Sequence, residues 1–588
     1  MPTFAIGEQD FLLDGEPHRI LSGALHYFRV HPDMWADRIR KARQLGLNTI
    51  ETYVAWNAHA PERGVFDTTG QRDLGRFLDL VEAEGMHAIV RPGPYICAEW
   101  DNGGLPAWLM RIPGVGVRRN EPQYMAAVTE YLQQVLAIVT PRQITRGGPV
   151  VAVQIENEYG AYGDDKDYLR ELVRVNRDAG VEVPLLTCDQ AEAEMQERGS
   201  LPELHRTVTF GSRTAEKLAV LRAAQPTGPL MCMEFWNGWF DHWGAHHHVT
   251  DAAASAGDLD ALLAVGGSVN LYMFHGGTNM GFTNGANDKG VYQPLVTSYD
   301  YDAPLAEDGT ATAKYDAFRE VISRYAPVPA ESAPHRTPAP ELTIEGGRRT
   351  VGLLDVVATL GEGSSWDEVP THEDVAVASG FVRYRTAVAH IEPSVLAFDE
   401  VRDRAQVFLD GVAVGVIDRS ERARSLTLPA APHGATLEIL LEDQGRVNYG
   451  TRIGEAKGLI GPATLAGKPL LGWDVLPVDV DALAVESTFA GECEAAGPIA
   501  GPSLSRWTSD LPAGRDLFLD VSGWGKGMVW VNGVNLGRYW SKGPTATMYV
   551  PGQIVTGQAD SIVLLELLGA PDAAVRFVAA PQLGHTDF

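Results

Sequence analysis

Along residues 1–325, short apolar runs alternate with segments whose apolar residues recur every three to four positions. The runs predict strands over 19–27, 49–56, 87–92, 150–154, 184–188, 208–211, 230–234 and 269–274. The intervening periodicity predicts helices over 35–45, 74–84, 124–139, 168–178, 215–223, 259–265 and 315–324. Strands that alternate with helices build parallel sheets. Eight strands in this length, all but the fifth followed by a predicted helix, suit a closed (β/α)8 barrel better than an open sheet.

The texture changes at APVPAESAPHRTPAPE (326–341), whose five prolines read as a stiff linker. Beyond it, strand-length runs are separated by Gly and Pro turns, and the helical period fades. VFLDGVAVG (407–415) resembles VWVNGVNLG (529–537), and LEILLEDQG (437–445) resembles IVLLELLG (562–569). Asp-Gly and Asn-Gly between apolar runs signal tight hairpins. The two patterns recur at nearly the same spacing, which predicts two β-sandwiches of related topology. The expected division is therefore a barrel over 1–325, a linker over 326–341, and sandwiches over 342–495 and 496–588.

Composition narrows the function. The chain has 588 residues, 45% hydrophobic and 21% charged, as multidomain globular proteins do. No run of ~18 uncharged apolar residues is present, so no membrane-spanning helix is expected. With 48 basic against 76 acidic residues, the net charge of −28 repels phosphate backbones, and no nucleic-acid partner is expected. Four scattered cysteines, Cys97, Cys188, Cys232 and Cys493, form no C-x-x-C pair. With no apolar leader at the start, they suggest a reducing cytoplasm. Thirteen tryptophans tilt the reading slightly towards carbohydrate, because aromatic faces stack on sugar C–H faces.

Barrel active sites lie at the C-terminal strand ends. There the fourth strand gives Glu156-Asn157-Glu158-Tyr159 and the seventh gives Glu234-Phe235-Trp236. Glycoside cleavage needs two carboxyl groups facing one rim, one to protonate the leaving oxygen and one to meet the anomeric carbon. Glu156 and Glu158 have the same parity along the strand, so alternation does not choose between them. An Asn directly before the acid is a useful donor to a sugar 2-hydroxyl, which favours Glu158 as acid/base and makes Glu156 a buried supporting carboxylate.

GGPVVAVQIENEYGAYG (147–163) resembles the signature of glycoside hydrolase family 35. The resemblance runs through SGALHYFRVHPDMWADRIRKARQLGLNTIETYVAWNAHAP (22–61), RPGPYICAEWDNGGLPAWL (91–109), MEFWNGWFDHWG (233–244), YMFHGGTNMGFTNGA (272–286) and TSYDYDAPLAEDG (297–309). It continues more weakly through RVNYG (446–450) and GWGKGMVWVNGVNLGRYW (523–540). It implies a retaining exo-β-galactosidase acting on β-galactoside oligosaccharides without cofactor or metal, with Glu158 as acid/base and Glu234 as nucleophile. It also implies galactose contacts from Tyr53, Cys97, Ala98, Glu99, Asn157 and Tyr301, jelly-roll sandwiches, and a possible homodimer. Tyr301 is expected to bond Glu234 or flank the anomeric carbon. Trp236, Trp239 and Trp243 are core or walls of the leaving-group side. Tyr449, from the first sandwich, is expected to reach over the barrel mouth.

Two other functions share these residues: an exo-β-glucosaminidase, and a carbohydrate-binding protein with a decayed barrel. The presence of both carboxylates disfavours the second. His246-His247-His248 invites a metal reading, but three consecutive side chains do not converge on one centre in regular structure.

Overall fold

The computed structural model describes residues 2–389, 392–572 and 574–586. Eight parallel strands close the barrel: β1 (Leu21–Leu25), β2 (Thr49–Tyr53), β3 (His87–Arg91), β4 (Val150–Gln154), β5 (Leu185–Gln190), β6 (His205–Phe210), β7 (Met231–Trp236) and β8 (Ser268–His275). Pairing runs in chain order and closes between β8 and β1. Strands covered on both faces become continuous apolar runs, and β4 (VVAVQ) is buried throughout. Asp73, Asp165 and Asp251 cap the helices Leu74–Ala83, Lys166–Asp178 and Ala252–Ala264, their carboxylates accepting backbone N–H bonds.

The expected barrel is present, with local differences. The sixth strand begins three residues earlier than its apolar run, because His205 and Arg206 belong to its ladder. A short helix, Ala193–Arg198, fills the fifth unit. Its AEMQER sequence is too brief to show a period. Residues 326–341 are no free linker. Pro334 O accepts from Ala311 N–H at 2.9 Å, Arg336 reaches Asp308 at 2.7 Å, and Ala339 N–H donates to Ala579 O at 2.8 Å. The prolines thus form an extended strap along the barrel.

The sandwiches stack as four sheets. In spatial order, a six-stranded sheet contains Ser364–Trp366, Trp473–Val478, Phe381–Val388, Ala435–Glu442, Arg404–Leu409 and Val412–Asp418. One face packs on the small sheet carrying Ser394–Ala397 and Ser425–Leu428 through Val382, Leu396, Leu428 and Ile439. Its other face meets a five-stranded sheet through Phe381, Phe408 and Leu440 against Met528, Trp530 and Leu565. Burial on both faces explains the unbroken apolar stretches 439–441 and 562–565 within 437–445 and 562–569. The outermost sheet leans on the barrel through Phe518 and Tyr549.

The boundary expected at 342 is corrected here. Leu342–Ile344 pairs with Val575–Val578, and Arg349–Gly352 pairs with Ser503–Ser509, so both strands belong to the last sandwich. The first sandwich is inserted into the second. Linear sequence order cannot show such a return. The paired hairpin signals do form turns, with Asp410 and Gly411 at φ 49° and 76° and Asn532 and Gly533 at 50° and 80°.

Candidate active site

The carboxyl ends of the strands converge on a cavity of about 230 Å³. All the residues expected there line it: Tyr53, Cys97, Ala98, Glu99, Asn157, Glu158, Glu234, Trp236, Trp239, Tyr301 and Tyr449. Trp243 does not. It sits against Trp540 of the last sandwich, with ring centroids 6.3 Å apart, as part of the barrel–sandwich packing. Gln190, Phe240, Tyr272, Asn287 and Lys289 also line the cavity and were not singled out in sequence. Gln190 ends β5, so strand-end position was an available signal for it, whereas Tyr272 lies inside β8.

The ambiguity between the two glutamates is resolved by the backbone. Glu156 and Glu158 adopt left-handed φ of 57° and 45°, which breaks strand alternation and separates their side chains. Glu156 turns inward to Arg118, whose Nε and Nη2 donate at 3.1 and 2.8 Å, and to the Tyr168 hydroxyl at 2.8 Å. It is the buried supporting carboxylate. Glu158 turns into the cavity and accepts from Thr209 Oγ1 at 3.1 Å. Burial, then the neighbouring Glu234 charge, push its carboxyl up to about 8.

Glu234 has a different environment. The β7 register shifts between Cys232 and Glu234, a bulge that re-aims the side chain. Its Oε1 accepts from the Tyr53 hydroxyl and from Arg91 Nη2, each at 2.7 Å, and Oε2 accepts from Trp236 Nε1 at 3.1 Å. Tyr301 packs edge-on to Tyr272 at 5.6 Å, beside this network. Arg91 is fully buried, lies 4.0 Å over the Tyr53 ring and also faces Glu51 at 3.7 Å. Burial lifts Glu51 to about 7, against the pull of Arg91. The guanidinium therefore holds two carboxyl groups and orients one of them. The sequence reading passed over Arg91, although it ends β3 at the site's rim.

Cys97, Ala98 and Glu99 are three consecutive non-glycine residues with φ of 54°, 54° and 51°. Such conformations cost about 1–3 kcal/mol each and persist only where neighbours impose them. Here Arg29 Nη2 donates to Ala98 O at 2.5 Å, and Gly285 N–H donates to Glu99 O at 2.9 Å. Arg29 itself stacks 3.9 Å over Tyr299, whose hydroxyl donates to Glu99 at 2.5 Å. Burial raises the Glu99 carboxyl to about 7. The loop therefore presents a polar carboxyl group and two small walls to the cavity.

Tyr449 enters from the first sandwich. The strand Val447–Gly450 pairs with Ala286–Asp288 from the loop after β8, placing Tyr449 beside Asn287. Gln190 Nε2 donates to the Tyr449 hydroxyl at 3.3 Å. His247 and His248 bond opposite oxygens of Asp241 at 2.7 and 2.9 Å, so their Nδ1 atoms serve a structural carboxylate.

The match to known proteins follows this geometry. Residues 10–325 match the family described as glycosyl hydrolases family 35. The chain belongs to that family. Residues 370–479 match a "Beta-galactosidase, first all-beta domain", and 502–558 a "Beta-galactosidase, galactose-binding domain". Both matches lie outside the strands at 342–352, in keeping with the insertion. Mouse "Beta-galactosidase" is 41% identical over 97% of this chain and 94% of its own length. The human protein of that name is 40% identical over 98% and 90%. Mouse "Beta-galactosidase-1-like protein" is 39% identical over 98% and 91%.

Proposed function

We propose that this family 35 chain is a retaining exo-β-galactosidase, with Glu158 as acid/base and Glu234 as nucleophile. The carrying observation is the divergence of the two carboxyl groups. Glu158, pushed up to about 8, keeps a proton to give at neutral pH. Glu234 accepts bonds from Arg91, Tyr53 and Trp236, which fix the orientation of its carboxyl group at the cavity wall. Environments that separate two carboxyl groups in this way assign acid and nucleophile.

In the first step Glu234 attacks the anomeric carbon while Glu158 protonates the departing oxygen. In the second, water loses a proton to Glu158 and displaces the glycosyl ester, regenerating Glu234 and releasing galactose. Asn157 is held by Tyr53 at 2.8 Å and Arg91 at 2.5 Å, which supports a role towards the sugar 2-hydroxyl. Glu99 and the Cys97–Ala98 wall face the rest of the ring. A polar site built for one hydroxyl arrangement rejects the epimer by leaving its groups unpaired. Tyr449 shapes the leaving-group side.

The same proposal places the chain in a reducing cytoplasm. Its four cysteines are free, and Cys493 is exposed. Incubation with nitrophenyl β-glycosides, followed by NMR of the first-formed sugar, tests the activity. Release of β-galactose supports the reading. Faster hydrolysis of a β-glucosaminide, or first formation of α-galactose, overturns it.

A further inference from the structure

We propose that the mouth of the cavity is a cationic subsite for an anionic sugar on the leaving-group side, with Lys289 as its specificity-determining residue. The inference rests on the galactosidase reading and specifies its substrate class. Among the described residues lining the cavity, Lys289 is the sole cation, facing Glu99, Glu158 and Glu234 deeper inside. It sits at the exposed tip of the hairpin joining Ala286–Asp288 to Tyr292–Pro294, with its ammonium 5.0 Å over the Tyr449 ring.

A second cavity, of about 320 Å³, adjoins this hairpin at Asp288 and Gly290 and is lined by four arginines. Two of them are committed: Arg419 to Asp403 at 2.9 Å and Arg452 to Glu400 at 2.7 Å. The other two, Arg422 and Arg424, are exposed, and Arg422 donates to Gly290 O at 3.0 Å. Among the described residues, Lys289, Arg422 and Arg424 have no carboxylate within 4 Å. A chain of net charge −28 has acidic groups in excess, yet leaves these three cations unneutralised around one turn. Ammonium and guanidinium groups bind carboxylate and sulfate through charge-assisted bonds. A sugar leaving over Tyr449 meets Lys289 first, and a longer chain then meets the arginines.

The test compares kcat/KM for galactose linked to glucose, to glucuronate and to a 6-sulfated glucose, all in one linkage, at low and high salt. Lys289→Glu should lower the anionic-to-neutral ratio by about fivefold or more for both anions, the scale of one charge contact in a wet site. The ratio in the unaltered enzyme should fall towards the variant's as salt rises. The double variant Arg422→Ala, Arg424→Ala should lower the ratio for trisaccharides carrying the anion on the third sugar. A ratio that Lys289→Glu leaves within twofold, or that salt leaves unchanged, overturns the subsite. Failure of the unaltered enzyme to hydrolyse the neutral galactoside instead overturns the galactosidase reading, and this inference with it.

Discussion

On the proposed mechanism, Arg91 orients the nucleophile. It contacts Glu234, Glu51, Asn157 and the Tyr53 ring at once. Replacing it with Met removes a preorganised donor, and kcat should fall by about a hundredfold or more. Without the Arg91 bond Oε1 of Glu234 loses one of its two anchors, so the fall should appear in kcat while KM for the galactoside changes only a few fold. Steady-state kinetics and thermal unfolding of the variant check this, and a kcat that falls only in step with a loss of folded protein would assign Arg91 a packing role alone. On the proposed roles, the basic limb of the pH profile belongs to Glu158. Its protonated form is the active one, so kcat/KM in the unaltered enzyme should fall as pH rises through about 8. Glu158→Gln should abolish that limb while lowering the rate.

These residues also show how far sequence reading reached. That Glu158 and Glu234 line one cavity was legible because a strand-end carboxyl pair is a chemical pattern. Asn157, not alternation, separated Glu156 from Glu158, because left-handed backbone at both positions overrides alternation. Strand-end position could have flagged Arg91, but the roles of Arg91 and Arg29 were hidden for a related reason. A buried arginine declares itself only through partners distant in the chain, such as Glu234 and Asn279.

Among the elements, the barrel strands were readable because burial on both faces leaves an apolar run that turns and helices interrupt. The hairpin signals were readable because Asp-Gly and Asn-Gly specify a left-handed pair locally. At Gly411, with φ 76°, a side chain would meet no neighbour within 4 Å, so any cost of substitution is conformational. Gly411→Val should therefore destabilise the first sandwich by about 1–2 kcal/mol. Thermal unfolding should show a lower midpoint. An unchanged midpoint would mean that the turn relaxes into another type.

At the scale of the whole molecule, the chain order conceals the architecture. The last sandwich takes two strands from 342–352, and the first is threaded between them and the remainder. No local pattern encodes that return. The insertion does predict how the chain can be cut. A fragment over 342–588 keeps both sandwiches whole and should fold. One beginning at 370 lacks the strands paired with Ser503–Ser509 and Val575–Val578, and should unfold at lower temperature or aggregate. Equal melting of the two fragments would contradict the assignment. The barrel alone would lose Tyr449, and so one wall of its own cavity.

The central claim is that Glu234 becomes covalently bonded to the sugar. A 2-deoxy-2-fluoro-β-galactoside with a good leaving group slows both steps, the second sufficiently to accumulate the glycosyl-enzyme. Mass spectrometry of the digested protein should find one fluorogalactosyl group on the peptide carrying Glu234, absent in Glu234→Gln. An adduct on Glu158 or elsewhere, or rapid turnover with inversion and no adduct, would contradict the account.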